Sequence, residues 1–226
     1  INTPAASSRS VGELTMAHML GLSRFLYQSN RQMPLEGDTK FNDLKKAYAK
    51  GAELEGKTLG VIGLGRIGQE TAKVGLGLGM NILAVDPFVS EVTLAVGPAQ
   101  LGFKISLRTV GMDDMLAAAD YISLHIPSLD KAILGKDEFS KMKDGVIIVN
   151  CSRGGTIDED ALLEALNSGK VAAAGLDVFD NEPTPRKDIL THPRISLTPH
   201  IGASTEEAQN KIGEELAQKM IAALKG

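Results

Sequence analysis

Tryptophan is missing from all 226 residues, aromatics of every kind make up 4%, and cysteine occurs once. Cys151 alone cannot close an internal disulfide, and no Cys/His grouping has metal-ligand spacing, so neither a disulfide scaffold nor a metal site is expected. Long apolar runs are missing as well. None reaches the eighteen residues of a membrane span, and the N-terminus lacks the basic flank and apolar stretch of a secretory signal. There is no surplus of positive charge: 24 Lys and Arg stand against 28 Asp and Glu, for a net charge of -4. Nucleic acid and anionic membrane surfaces are therefore not expected partners, and a reducing, cytoplasmic compartment is. The first residue is Ile1 and not methionine, which raises the expectation that an upstream segment is missing.

What is present is a chain that is 43% hydrophobic, enough to bury one sizeable core. Residues 10–27 read as a helix apolar on nearly every side, which must be covered on both faces, and residues 34–50 read as a polar surface arm. Beyond Lys57 short apolar runs at 58–62, 81–85, 121–124, 146–149, 172–176 and 195–198 alternate with helical patterns. That alternation predicts an α/β, doubly wound parallel sheet. Asp158 is placed to cap a helix that Gly169 closes. Ser204 and Glu207 read as a capping box ahead of Ile212, Leu216, Met220 and Leu224. Between Phe88 and Val110 the pattern is weak, and only a short strand at 104–107 is expected. No internal repeat or low-complexity segment appears.

The run Gly63-Leu64-Gly65-Arg66-Ile67-Gly68 follows a predicted strand and opens a helix. In that context the first glycine permits the turn, the second admits a pyrophosphate to the backbone, and Gly68 lets helix pack on strand. Asp86, at the end of the next strand, is placed to accept ribose hydroxyls and to repel a 2′-phosphate, so NAD is the expected cofactor. The competing reading is a glycine-rich turn that binds nothing, with Arg66 a solvated helix residue. Strand, helix and acid in register weigh against it.

Three further strands lead into Arg153, into Asp177 and then Glu182, and into His200, delivering an arginine, carboxylates and a histidine to one sheet edge. Reduction of a 2-oxo acid needs a fixed cation for the carboxylate, which Arg153 suits. It also needs a proton donor near working pH, which His200 suits, with Glu182 to hold its tautomer. Asp177 is placed to orient a nicotinamide amide. Taken singly, His200 is equally a loop residue and Glu182 a turn acid. His18 and His192 lack such company and are read as structural, and Cys151 as a small strand-end residue.

Several stretches are shared with a known family: Asn2-Thr3-Pro4, Ser10-Val11-Gly12-Glu13-Leu14, Gly51-Ala52-Glu53-Leu54-Glu55-Gly56-Lys57, the glycine run, residues 150–155, Leu176-Asp177-Val178-Phe179, and Thr198-Pro199-His200-Ile201-Gly202-Ala203-Ser204-Thr205 with Glu207-Ala208-Gln209. In these the chain resembles the D-2-hydroxyacid dehydrogenases, and in the last stretch their phosphoglycerate dehydrogenase branch. The resemblance implies Arg153, Glu182 and His200 as the catalytic set. It implies cofactor contacts from Gly63, Gly65, Arg66, Ile67, Gly68, Asp86, Ile126, Pro127, Cys151, Ser152, Arg153, Asp177, His200, Gly202 and Ala203, and a basic residue near a substrate phosphate at Arg24. It further implies NAD-dependent oxidation of 3-phospho-D-glycerate in a homodimer joined through cofactor domains. Residues 1–200 would be the dinucleotide-binding domain, with a hinge at 1–10, and 201–226 a helix returning to a substrate domain otherwise absent. A C-terminal regulatory domain would be lacking. A glyoxylate or hydroxypyruvate reductase keeps every site residue, and an NADH-sensing corepressor-like module is the alternative of another class.

Overall fold

The computed structural model describes residues 6–97 and 102–225, with side chains as far as 221. The Asn2-Thr3-Pro4 stretch, the first half of the expected hinge and the Leu224 side chain lie outside the described residues. Helix α1 (Ser8–Ser23) stops where Phe25 takes a left-handed conformation, φ 54°, and α2 (Leu26–Glu36) sets off in a new direction. The single helix expected over 10–27 is thus two. The reason is burial: α1 tucks Val11, Met16, Met19 and Leu22 into the core, whereas α2 buries no residue. The polar arm is helical too, with α3 (Phe41–Ala47) burying only Leu44.

There follow β1 (Thr58–Ile62), α4 (Arg66–Gly77) and β2 (Asn81–Val85), then β3 (Glu91–Val96) and β4 (Phe103–Arg108), paired as an antiparallel hairpin. The sequence reading predicted only part of β4. The stronger signal lay in β3, where Val92, Leu94 and Val96 alternate with exposed residues and Leu94 is fully buried. Next come α5 (Met112–Ala118), β5 (Tyr121–Leu124), α6 (Lys136–Lys141), β6 (Val146–Asn150), α7 (Glu159–Ser168), β7 (Val171–Leu176), α8 (Lys187–Thr191), β8 (Ile195–Leu197) and α9 (Glu206–Lys225).

Six strands form one parallel sheet in the order β2-β1-β5-β6-β7-β8. The doubly wound architecture is as expected, and the order reverses between β1 and β5, which is where such sheets open a crevice at their carboxyl ends. Each strand is covered on both sides. On β6, Val146 and Ile148 join the core beneath α5 to α8, while Ile147 and Val149 face the core built by α1 and α4. Gly75 on α4 lies where a Cβ would stand 3.1 Å from Leu59 and 3.2 Å from Ile82, so its absence of side chain lets α4 approach the sheet.

Helix ends follow local chemistry. Asp158 accepts from Ala161 N at 3.0 Å, and Gly169 closes α7 at φ 84°. At α9 the expected cap needs correcting: Thr205 Oγ1, not Ser204, accepts from Ala208 N at 3.1 Å. Ser204 belongs to the preceding turn, donating its N–H to Ile201 O. No helix among the described residues is long and apolar enough to cross a membrane.

Candidate active site

The turn from β1 into α4 is built by three glycines with separate duties. Gly63 sits at φ 93°, and a Cβ there would overlap His125 O. A Cβ on Gly68 would overlap the Gly63 carbonyl, whereas at Gly65 it would meet nothing within 4 Å. Space is therefore left over Gly65, where the N-terminal amides of α4 can hold an anion, and a cavity of about 330 Å³ is lined by Gly65, Arg66, Ile67 and His125. Asp86, just past β2, accepts from Leu64 N at 2.7 Å through one oxygen and from Phe88 N and Val89 N at 2.8 and 3.1 Å through the other. It ties the glycine turn to the next loop. Ile126 and Pro127 follow β5 on the far side of the crevice, with the Ile126 side chain beside Gly63.

His125 was not singled out in the sequence. Its Nε2 lies 3.0 Å from Ser123 Oγ, and its Nδ1 is buried without a partner among the described residues. Burial pushes its pKa down to about 3, so at neutral pH it brings no charge to the crevice. The available signal was its place directly after β5.

Past β6, Asn150 shapes the loop. Its amide donates to Arg153 O and to Thr156 Oγ1, both at 3.0 Å, and its carbonyl accepts from Ser152 N and Oγ. The Arg153 backbone is thereby fixed while its guanidinium stays exposed. Cys151 and Ser152 are buried. Burial drives the Cys151 thiol up to about 12, which keeps it a thiol and not a nucleophile.

Asp177, buried at the end of β7, accepts from Thr198 Oγ1 at 2.6 Å, Ile201 N at 2.8 Å and Gly202 N at 2.8 Å. In this structure it clamps the loop that carries His200. His200 itself is left-handed at φ 55°, and its Nδ1 lies 2.7 Å from Glu182 Oε2, whose other oxygen accepts from Phe179 N at 2.9 Å. Partial burial alone would raise the Glu182 pKa. The hydrogen bonds from His200 and Phe179, with the nearby charge of Arg153, hold it below the usual carboxylate range instead. Arg153, on the loop after β6 with its Nη1 donating to Ser152 O at 2.6 Å, thus lies on the same sheet edge as the Glu182–His200 pair. Beside the His200–Glu182 pair opens a cavity of about 390 Å³ lined mainly by Phe179, Pro183, Leu190, Leu197 and Pro199.

Arg24 does not join them. Ser10 Oγ at the start of α1 is 3.0 Å from Thr205, but Ser23 at its end bonds to Tyr121 and Ala52. Arg24, lying against Gly51, is therefore at the amino edge of the sheet, and the expectation of a phosphate contact within this chain is corrected.

The chain matches the family described as D-isomer specific 2-hydroxyacid dehydrogenase, NAD binding domain, over residues 16–202. It is 45% identical to a hydroxypyruvate reductase of Thermotoga maritima, over 97% of this chain and 68% of that protein. It is 42% identical to a D-3-phosphoglycerate dehydrogenase of Methanocaldococcus jannaschii, over 100% of this chain and 41% of that one. Among solved structures it resembles a glyoxylate reductase from Paecilomyes thermophila, with a TM-score of 0.82 and 35% identity, over 98% of this chain and 63% of the other. A D-lactate dehydrogenase from Aquifex aeolicus, complexed with NAD and lactic acid, gives a TM-score of 0.79 at 31% identity, over 99% of this chain and 68% of the other.

Proposed function

The chain belongs to the D-isomer specific 2-hydroxyacid dehydrogenases as an NAD-binding domain, and from that premise we propose that the whole protein oxidises 3-phospho-D-glycerate to 3-phosphohydroxypyruvate, reversibly. The observation that carries the chemistry is the His200–Glu182 pair, 2.7 Å apart, on the sheet edge where the Arg153 loop also opens. NAD suits the crevice by the open space over Gly65 and the carboxylate at Asp86, and when bound it supplies the hydride acceptor. Gly63, Gly65, Arg66, Ile67 and Gly68 would hold its pyrophosphate, with Ile126, Pro127, Cys151, Ser152, Asp177, Gly202 and Ala203 lining the remainder.

With its Nδ1–H donated to Glu182, His200 presents a bare Nε2. That nitrogen takes the hydroxyl proton of the 2-hydroxy acid as C2 gives up its hydride, and returns it in the reverse direction. The imidazolium so formed is stabilised by Glu182, whose own pKa is held low. Arg153 pairs with the substrate carboxylate through parallel hydrogen bonds and fixes which face of C2 is presented.

The substrate is chosen on the shared motif ending in Thr205 and on relatives such as that of M. jannaschii. Hydroxypyruvate or glyoxylate reduction is the second reading, favoured by the T. maritima relative. NADH oxidation by the full-length protein decides: preference for 3-phosphohydroxypyruvate supports the first, and success only with hydroxypyruvate or glyoxylate replaces it. His200→Ala is expected to lower kcat by about 10²–10⁴-fold with NADH affinity retained. Residues 201–226 are assigned to the side of the substrate domain, the protein to the cytoplasm, and the assembly to a homodimer.

A further inference from the structure

His18 lies on α1, far in sequence from the proposed catalytic residues, and is 4% exposed. Its ring rests on β7 at Gly175, where a Cβ would stand 2.8 Å from the His18 Cβ. The glycine makes room for the imidazole. Nδ1 is 3.0 Å from Ser196 Oγ and Nε2 is 3.0 Å from Thr198 Oγ1, two positions that share a face because strand side chains alternate.

Donor accounting fixes the tautomer. Thr198 has one hydroxyl proton, and it is donated to Asp177 Oδ1 at 2.6 Å. Toward the imidazole that oxygen can only accept, so Nε2 carries the hydrogen and Nδ1 accepts from the Ser196 hydroxyl. Burial, opposed by the Asp177 charge, lowers the His18 pKa and keeps the ring in this neutral form.

Asp177 in turn receives Ile201 N and Gly202 N, the two amides directly after left-handed His200. A non-glycine residue in that conformation costs about 1–2 kcal/mol and persists only where its surroundings enforce it. We propose that His18 is a positioning residue for the reaction: its Nε2–H sets the Thr198 hydroxyl, through which Asp177 holds the backbone carrying His200. The kinetic part of this inference rests on the dehydrogenase reading above; the placement of His200 does not.

The test uses the full-length protein and three single variants. Ring-nitrogen NMR of the ligand-free wild type is expected to find His18 protonated at Nε2. His18→Leu and Thr198→Val should displace the His200 ring signals in the same sense, and His18→Gln, which keeps an N–H donor, should leave them near the wild-type position. In turnover, His18→Leu should lower kcat about tenfold, as for one lost buried hydrogen bond, with the NADH Kd within about twofold. His18→Gln should recover most of the loss. Because both changes break one relay, the His18→Leu/Thr198→Val double variant should be no slower than the slower single. An Nδ1–H tautomer, unmoved His200 signals in both apolar variants, or losses that multiply would overturn the inference. If His18→Leu does not fold, Thr198→Val and His18→Gln discriminate between the same two outcomes. A wild type that reduces no 2-oxo acid sinks the dehydrogenase reading, and the NMR result still decides the role of His18.

Discussion

Before any ligand arrives, the Asp86 carboxylate already holds three backbone amides, from Leu64, Phe88 and Val89. A carboxylate offers about four lone-pair positions, so what remains for a ribose hydroxyl is limited, and the acid is as much a latch for the glycine turn as a reader of the cofactor. Replacing it has two consequences. Asp86→Ala should relax the preference for NAD over NADP, measured as a ratio of dissociation constants, and should also cost about 1–3 kcal/mol of stability from unsatisfied amides. Asp86→Asn should destabilise as well, because its NH₂ must face one of the amide donors; a preference unchanged in both variants would remove the ribose role. Local chemistry made Asp86, the glycines, Arg153 and His200 readable in the sequence, since each belongs to the segment that leaves the carboxyl end of a strand. His18 and Asn150 were not readable. The partner of His18 lies 178 residues away, and Asn150 acts on the backbone of its neighbours, so nothing in the local pattern announces either.

Elements were legible to the extent that burial is two-sided. The six parallel strands are short apolar runs because helices cover both faces, and their parallel pairing could be anticipated from their alternation with helices, though not their order in the sheet. Half of the hairpin escaped: residues 104–107 were expected as a strand but β3 was not, because Thr93 and Ala95 between Val92, Leu94 and Val96 are small and only weakly polar, which blurs the alternation that marks a half-buried strand. The break at Phe25 escaped because the apolar pattern runs through it to Leu26 and Tyr27. At the amino ends of the strands, Asp120 joins three elements: its backbone N–H donates to Thr58 O, its carbonyl accepts from Ile147 N, and its carboxylate accepts from Thr58 N at 2.8 Å and Lys143 Nζ at 3.0 Å. Partial burial would raise its pKa, but Thr58 N and Lys143 hold it below the usual range. A depressed carboxylate stabilises the fold above its unfolded pKa, about 3.9, and loses that contribution as pH falls through the folded value. Asp120→Asn, which surrenders Lys143, should therefore cost about 1 kcal/mol at neutral pH, and the gap from wild type should close below about pH 4. Denaturant midpoints across that range check it; a gap independent of pH would mean that packing and not charge is responsible.

At the scale of the molecule, the apolar surface is unevenly distributed. Helix α2 fully buries none of its residues, only Tyr27 at its start packing against the core, and Leu26, Leu35 and Phe41 on α2 and α3 are 63, 78 and 57% exposed. Exposed apolar side chains on one arm have a cost in water that a self-associating protein recovers by covering them, and a two-fold interface does so with the same surface from each copy. The proposed homodimer through the cofactor domains gives the arm that role. The pair Leu35→Glu and Phe41→Glu should then shift the full-length protein from dimer to monomer in sedimentation equilibrium, because each charge would have to be desolvated opposite its symmetry mate. Neither residue belongs to the buried core, so the monomer should keep its fold by circular dichroism. If instead the charged variant stays dimeric at low micromolar concentration, the contact lies on another face, and α2 and α3 owe their exposed side chains to some other surface of the whole protein.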